Sequence, residues 1–306
     1  MKSKHLVNIA DLPREDVEEI LRTAHKMKAD HKKGKKDLCL AGKTLGMIFE
    51  KPSLRTRVSF EVGMSQLGGQ TIYLSKDDIK IGKRESPIDV ARVISRYLDG
   101  LMMRTFSHEI IVIFAEHATV PIINGLSDYV HPCQALGDLF TIQEQKGDLS
   151  AIKAAFVGDG NNVARSLAFA CAKLGVSLAL SSPKGHELDE QTMKIAEDIT
   201  EREGCVRLVG DPQAAVRGAD VVYTDVWASM GQEDEAKKRE QVFRRYRVDA
   251  KLMSKAKKDA IFMHCLPAHR GEEVTDEVLD SPQSVVLDQA ENRMHVQKAI
   301  LKLLMS

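Results

Sequence analysis

The chain has 306 residues, 43% of them hydrophobic and 29% charged, the make-up of an ordinary globular protein with enough apolar material for one large domain or two of usual size. Lys plus Arg (44) equals Asp plus Glu (44), which excludes binding nucleic acid through a general basic field but leaves room for a local pocket of a few anion donors. Five scattered cysteines, Cys39, Cys133, Cys171, Cys205 and Cys265, form no CxxC pair, so neither a zinc ribbon nor a redox motif is supported and reduced thiols are expected.

From the N-terminus, Met1 to Leu12 lacks the apolar core of a secretory signal, and no run approaches the roughly 18 apolar residues of a spanning helix. A cytoplasmic location with no membrane partner is expected. Asp11 is placed as a helix cap with Pro13 in the first turn, and Val17, Ile20, Leu21 and Ala24 follow at helical spacing. The Lys-rich run from His31 to Asp37 reads as a solvated loop. Residues 44–49 read as a buried strand, leading through a polar turn over 50–57 into a helix over 58–67. A strand over 71–74, a polar segment over 75–87, a helix over 89–98 and strands over 100–104 and 120–124 follow, then a helix over 132–145. A second series starts near Ala151. It has strands over 154–157, 176–180, 221–225 and 260–264 and a last short strand over 285–287. Its helices fall over 161–174, 187–203 and 295–305. Strand and helix alternate in two runs with a break near residue 150. The expected class is therefore α/β, with two doubly wound parallel-sheet domains over 1–148 and 149–291. Ligands bind such domains beyond the carboxyl ends of the strands, and the cleft between two of them is the expected active site.

The polar residues with chemical potential sit at those strand ends. Ser53-Leu54-Arg55-Thr56-Arg57 lies on a strand-to-helix turn. Free backbone N–H groups at a helix start, two guanidiniums and two hydroxyls suit a phosphate ester. A solvated helix start with salt-bridging arginines has the same spacing. Arg104 closes a strand, where a guanidinium meets a carbonyl or a phosphate. His131-Pro132-Cys133-Gln134 precedes a helix, and a local cap is the plainer reading of its histidine. Asp225-Val226-Trp227-Ala228-Ser229-Met230-Gly231 follows a strand and offers a carboxylate, a hydroxyl and backbone N–H groups to the charged end of an amino acid. His264-Cys265-Leu266-Pro267 follows another strand, and taken alone Cys265 reads as a buried thiol. Gly158-Asp159-Gly160-Asn161-Asn162 imitates a dinucleotide turn, but Ala164 and Arg165 flank the place of the third glycine and no acid is placed for a ribose, so nicotinamide binding is not expected.

Taken in order from residue 53 to 293, these motifs resemble the aspartate and ornithine transcarbamylase family over nearly the whole chain. The Ser-x-Arg-Thr-Arg helix start is similar to its carbamoyl-phosphate motif, and His-Pro-x-Gln is a strong family mark. Asp-x-x-x-Ser-Met-Gly and His-Cys-Leu-Pro resemble the ornithine branch, and aspartate enzymes lack the first of them. The resemblance implies transfer of a carbamoyl group from carbamoyl phosphate to the δ-amine of L-ornithine, with citrulline and phosphate as products and no metal or other cofactor. It implies that Ser53, Leu54, Arg55, Thr56 and Arg57 hold the phosphate. Arg104, Thr56 and His131 point at the carbamoyl oxygen, and Gln134, Arg293 and the Leu266 backbone orient the carbamoyl nitrogen, with Cys265 beside them. Asn162, Asp225, Ser229 and Met230 hold ornithine. Arg55, Arg104, His131 and Cys265 are the expected catalytic residues. The segment Asp77–Gly82 matches a loop that in the family reaches a neighbouring subunit's site. Lys80 stands there where many ornithine enzymes carry Gln or His, and its charge suits a phosphate. The helix over about 292–306 is expected to pack back on the first domain, the stretch 232–245 is a mobile lid or a solvated helix face, and the assembly is a homotrimer or a multiple of trimers. A role in arginine synthesis is expected. The remaining readings are a transcarbamylase acting on another amine such as putrescine, a nicotinamide-dependent dehydrogenase, and a non-catalytic paralogue.

Overall fold

Asp16, Val17, Ile20, Leu21, Ala24, Met27 and Lys28 are the buried residues of the first helix, α1 (Arg14–Lys32), and their spacing gives it one packed and one solvated face. Pro13, not Asp11, occupies the capping position, with φ fixed at −58° ahead of the first turn. In the computed structural model, residues 1–79, 81, 85–228 and 236–306 are described, with the backbone alone at 236 and 237. The chain divides into two compact units: Met1–Phe140 with Glu291–Ser306, and Thr141–Ala290.

In the first unit, β1 (Thr44–Phe49) is buried at every position after its first. A near-continuous apolar run is what a parallel strand covered on both faces requires. Ser53 caps α2 (Leu54–Gln66) from an extended backbone, its hydroxyl accepting the Thr56 N–H at 3.4 Å. There follow β2 (Gln70–Ser75), α3 (Lys76–Ile79), α4 (Pro87–Ile94), β3 (Gly100–Arg104), α5 (His108–His117), β4 (Ile122–Leu126) and α6 (Pro132–Lys146). The strands form one parallel sheet in the order β2-β1-β3-β4. Ile48, Leu101, Met103 and Ile122 of the sheet pack in one core cluster with Val90, Ala91, Ile111 and Phe114 of the helices. The chain winds outward from β1 to β2 and then crosses back to β3. The winding thus reverses between β1 and β3, the position where open sheets of this kind bind ligands. The Ser53–Arg57 turn and Arg104 lie at the carboxyl ends of these two strands.

The second unit repeats the scheme with β5 (Lys153–Val157), α7 (Asn162–Leu174), β6 (Ser177–Ser181), α8 (Glu190–Asp198), β7 (Val206–Leu208), α9 (Pro212–Val216), β8 (Val221–Thr224), α10 (Ala236–Phe243), α11 (Ala250–Met253), β9 (Ile261–His264), α12 (Asp276–Leu279) and the start of α13 (Val286–Met305). Its parallel sheet has the order β7-β6-β5-β8-β9, so the reversal falls between β5 and β8. Glycine-turn residues 158–162 and Asp225 sit at those two strand ends, and Cys265 follows β9.

The fold class is the expected one, with differences in detail. Residues 285–287 are not a strand. Phe262 makes a single parallel bridge to Ser284, and the helix begins at Val286. Glu291-Asn292-Arg293 therefore lies inside α13 instead of preceding it, because the helix starts nine residues earlier than position 295. The helix α8 is shorter than residues 187–203, since Asp189 caps it by accepting the Thr192 N–H. α5, β7 and α9 fall in stretches with no element assigned from sequence. Among the described residues no helix is long and apolar enough to cross a membrane.

Candidate active site

Within the first unit, four of the expected residues form one hydrogen-bonded group. Arg293 donates from Nη2 to Thr56 Oγ1 at 2.8 Å and from Nη1 to Gln134 Oε1 at 3.0 Å. Ser53 Oγ donates to Thr56 Oγ1 at 3.1 Å. Gln134 Nε2 donates to Asp138 Oδ1 at 2.9 Å, so a carboxylate on one side and a guanidinium on the other fix which way the amide faces. Arg293 lies inside α13, Gln134 on the first turn of α6 and Thr56 on the first turn of α2, and all three are buried. Asp138 and Arg293 bracket Gln134; Arg293 shares its expected role, while Asp138 lies outside the expected set.

Arg55 and Arg57 part company. Two residues apart on a helix means about 200° of rotation. Arg57 is exposed, pairs with Glu61 at 2.9 Å and sits over the Tyr73 ring, 4.1 Å from its centroid. Arg55 is half-buried and, among the described residues, makes no hydrogen bond or ion pair. Leu54, the first residue of α2, is 76% exposed.

Arg104 and His131 are both buried. Burial first, then the charges of Arg293 and Arg104, hold the His131 imidazole well below its ordinary range. It is therefore neutral at physiological pH, one ring nitrogen donating and the other accepting. Lys51 lies outside the expected set. It is buried at the end of β1, its Nζ stands 4.2 Å from the centre of the Phe106 ring, and burial together with Arg104 lowers its pKa. A lysine in a polar turn reads as solvated; only its place at the winding reversal marks it.

In the second unit Asp225 is buried at the end of β8. Its Oδ2 accepts Asn161 Nδ2 at 2.8 Å and its Oδ1 accepts the Cys265 thiol at 3.0 Å. Asn161 also caps α7, accepting the N–H groups of Val163 and Ala164 at 2.9 and 3.1 Å. Asn162 is the next residue, half-buried in the first helical turn. The glycines before it have a local cause: a Cβ on Gly160 would stand 2.5 Å from the Glu187 carbonyl carbon, so the turn needs glycine with no nucleotide involved. Asp159 pairs with Arg239 Nη2 at 2.6 Å, yet burial outweighs that charge and pushes its carboxyl up to about 6. Arg239 Nε also donates to the Trp227 carbonyl at 2.5 Å, and Phe243 is fully buried against Trp227. From Arg239 onward, Arg239 and Phe243 of the expected lid are packed, while residues 240–242, 244 and 245 are exposed, so one side of this stretch packs and the other is solvated. Leu266 has φ 59°, and its N–H donates to His264 Nδ1 at 2.9 Å.

Lys80, Ser229, Met230 and Gly231, and residues 232–235 of the expected lid, lie outside the described residues. Two described groups have ligand-capable atoms within 4.8 Å of one another: Asp225, His264 and Cys265, and His269, Glu272 and Glu273. In the first, both ring nitrogens of His264 and the Cys265 thiol already have protein partners. In the second, Glu273 Oε1 is held by His264 and the His269 N–H.

The aspartate/ornithine carbamoyltransferase family matches in two parts, its carbamoyl-P binding domain over residues 4–144 and its Asp/Orn binding domain over residues 150–304. An ornithine carbamoyltransferase of Syntrophus aciditrophicus is 56% identical over 301 residues, covering 98% of this chain and 99% of the relative. An anabolic ornithine carbamoyltransferase of Pyrococcus furiosus is 53% identical over 306 residues, covering 100% and 97%. The solved ornithine carbamoyltransferase structure from Pyrococcus furiosus superposes with a TM-score of 0.96 over 99% of this chain and 97% of that one, at 53% identity. On likeness of this extent in both sequence and structure, the chain belongs to the aspartate/ornithine carbamoyltransferase family.

Proposed function

We propose that the chain transfers the carbamoyl group of carbamoyl phosphate to the δ-amine of L-ornithine, giving L-citrulline and phosphate. Asp225 carries the choice of ornithine. It is a buried carboxylate already held by two neutral donors, Asn161 and Cys265, so its orientation is set while its charge remains for an α-ammonium group. The relatives named above support the same reading.

The first unit takes carbamoyl phosphate. Its phosphate lies at the α2 start, on backbone N–H groups from Leu54 onward, Ser53, Thr56 and Arg55, where the helix dipole favours an anion. Arg57 joins by leaving Glu61, an exposed pair worth about 0.2–1 kcal/mol. Lys80 adds charge from a neighbouring subunit. Arg104, His131 and Thr56 face the carbamoyl oxygen, where negative charge develops as the tetrahedral intermediate forms. A fixed donor aimed at such an oxyanion contributes about 3–4 kcal/mol. Neutral His131 donates one ring N–H without repelling the neighbouring arginines. Arg293 has donors only, so it cannot accept from the carbamoyl NH2. It holds Gln134, whose Oε1 and the Leu266 carbonyl are the acceptors.

The second unit takes ornithine. Asp225 meets the α-ammonium; Asn162 at the α7 start, Ser229 and Met230 meet the carboxylate. The δ-amine resembles lysine, with an ordinary pKa of about 10.4, and must be neutral to attack. Nearby arginines and exclusion of water favour the neutral form. Nitrogen then bonds to the carbamoyl carbon, the carbon–oxygen bond to phosphate breaks, and the departing phosphate takes the proton released by nitrogen. No cofactor enters these steps. Five free thiols suit a reducing cytoplasm, a homotrimer or multiple of trimers is the proposed assembly, and arginine synthesis the proposed role.

Asp225→Asn tests the reading. The KM for ornithine rises at least about tenfold, while that for carbamoyl phosphate stays put, because one charge-assisted contact is lost. An unchanged ornithine KM refutes it.

A further inference from the structure

His264 ends β9 and is fully buried, and so is Glu273. Ionisable groups this deep need defined partners. Glu273 Oε1 lies 3.1 Å from His264 Nε2 and also accepts the His269 backbone N–H at 2.6 Å. Across the ring, His264 Nδ1 lies 2.9 Å from the Leu266 backbone nitrogen. A backbone N–H only donates. Nδ1 must therefore present a lone pair, and the ring proton must sit on Nε2, aimed at the carboxylate. The His264 main chain is held as well, its N–H donating to Gln289 Oε1 at 2.9 Å.

The relay ends on a backbone of unusual shape. Leu266 has φ 59°, the only positive φ outside glycine among the described residues. A residue bearing a side chain occupies that region rarely, and holds it only where its surroundings dictate it. The Leu266 N–H is one of the groups that dictate it here.

We infer that Glu273 and His264 are positioning residues for the carbamoyl group: Glu273 sets the tautomer of His264, and His264 holds the Leu266 backbone in the shape in which it meets the substrate amide. The inference rests on the reading of Leu266 given under the proposed function. Neither residue touches substrate. Their effect on turnover passes through one hydrogen bond to one amide.

The test combines a spectrum with kinetics on the full-length enzyme. Nitrogen-15 imidazole spectra, with His264 assigned by its loss in His264→Asn, show a proton on Nε2 and a bare Nδ1. Glu273→Gln keeps the shape, but its NH2 can face the ring and remove the preference for that tautomer. Its kcat falls about tenfold or more, as removal of orienting partners does elsewhere, with the ornithine KM unchanged. His264→Asn retains an acceptor near the Nδ1 position and is at least about tenfold more active than His264→Ala, which has none. Should His264→Ala fail to fold, Glu273→Gln and the wild-type spectrum decide. A proton on Nδ1, or Glu273→Gln with undiminished kcat, overturns the inference while leaving citrulline formation by the wild type intact. A wild type that forms no citrulline instead removes the reading of Leu266 on which the inference stands.

Discussion

Replacing Arg293 with lysine keeps the positive charge and removes the fork. The two nitrogens of Arg293 reach two different acceptors, Thr56 Oγ1 at 2.8 Å and Gln134 Oε1 at 3.0 Å. A single ammonium on a flexible stem cannot serve both in the same geometry. At least one hydrogen bond to a charged donor is lost, worth about 1.5–3 kcal/mol. At roughly 1.4 kcal/mol per factor of ten, kcat/KM for carbamoyl phosphate falls by roughly 10- to 150-fold. The assay is citrulline formation at saturating ornithine with carbamoyl phosphate varied, and thermal melting is run beside it. Charge is conserved, so His131 keeps its neutral state, and the ornithine KM is unaffected. An Arg293→Lys enzyme within about twofold of wild type in kcat/KM contradicts this role of the fork, because it shows that charge alone orders Thr56 and Gln134.

Arg55→Ala nearly abolishes turnover with no loss of melting temperature, since Arg55 has no described protein partner, whereas Arg57→Ala costs less because Arg57 is already engaged by Glu61 and Tyr73. Equal losses for both in steady-state kinetics contradict this. Stability also depends on pH. His5 and His295 are lowered to about 4 and His131 lies well below its ordinary 6.5, burial being the first cause in each. The fold keeps all three neutral where the unfolded chain is protonated, so their contribution is full above pH 6.5 and is lost as pH falls toward 4. Asp159, raised to about 6, acts in the opposite sense, its contribution fading as pH rises through that value. Three groups outweigh one, and the melting temperature drops between about pH 7 and pH 5. A level or rising profile in that window contradicts the assignment.

The strands that end at the site were legible because each is a short apolar run bounded by polar turns: β1 and β3 match their expected residues at both ends. Val285-Val286-Leu287 is also a short apolar run, and such a run is compatible with strand or helix. In the fold the pairing with Phe262 stops at a single bridge to Ser284, and the helix begins at Val286. In the site, residues within motifs could be named from sequence, but their supports could not. Nothing local marks Asp138 or Glu273, whose roles come from the side chains folded against them. Lys51 is hidden for the same reason: the Arg104 charge and the Phe106 ring beside it lie some fifty residues later. Arg55 and Arg57 show the converse. Adjacent in one motif, they are turned to different sides by the helix that carries them.

The most direct measurement is citrulline formation from carbamoyl phosphate, with L-ornithine, putrescine and L-aspartate offered separately as acceptor. Turnover with ornithine and none with the other two is the predicted result, because putrescine has no α-ammonium and carboxylate for the Asp225 region and aspartate has no δ-amine. Turnover with putrescine in preference to ornithine contradicts the role given to Asp225.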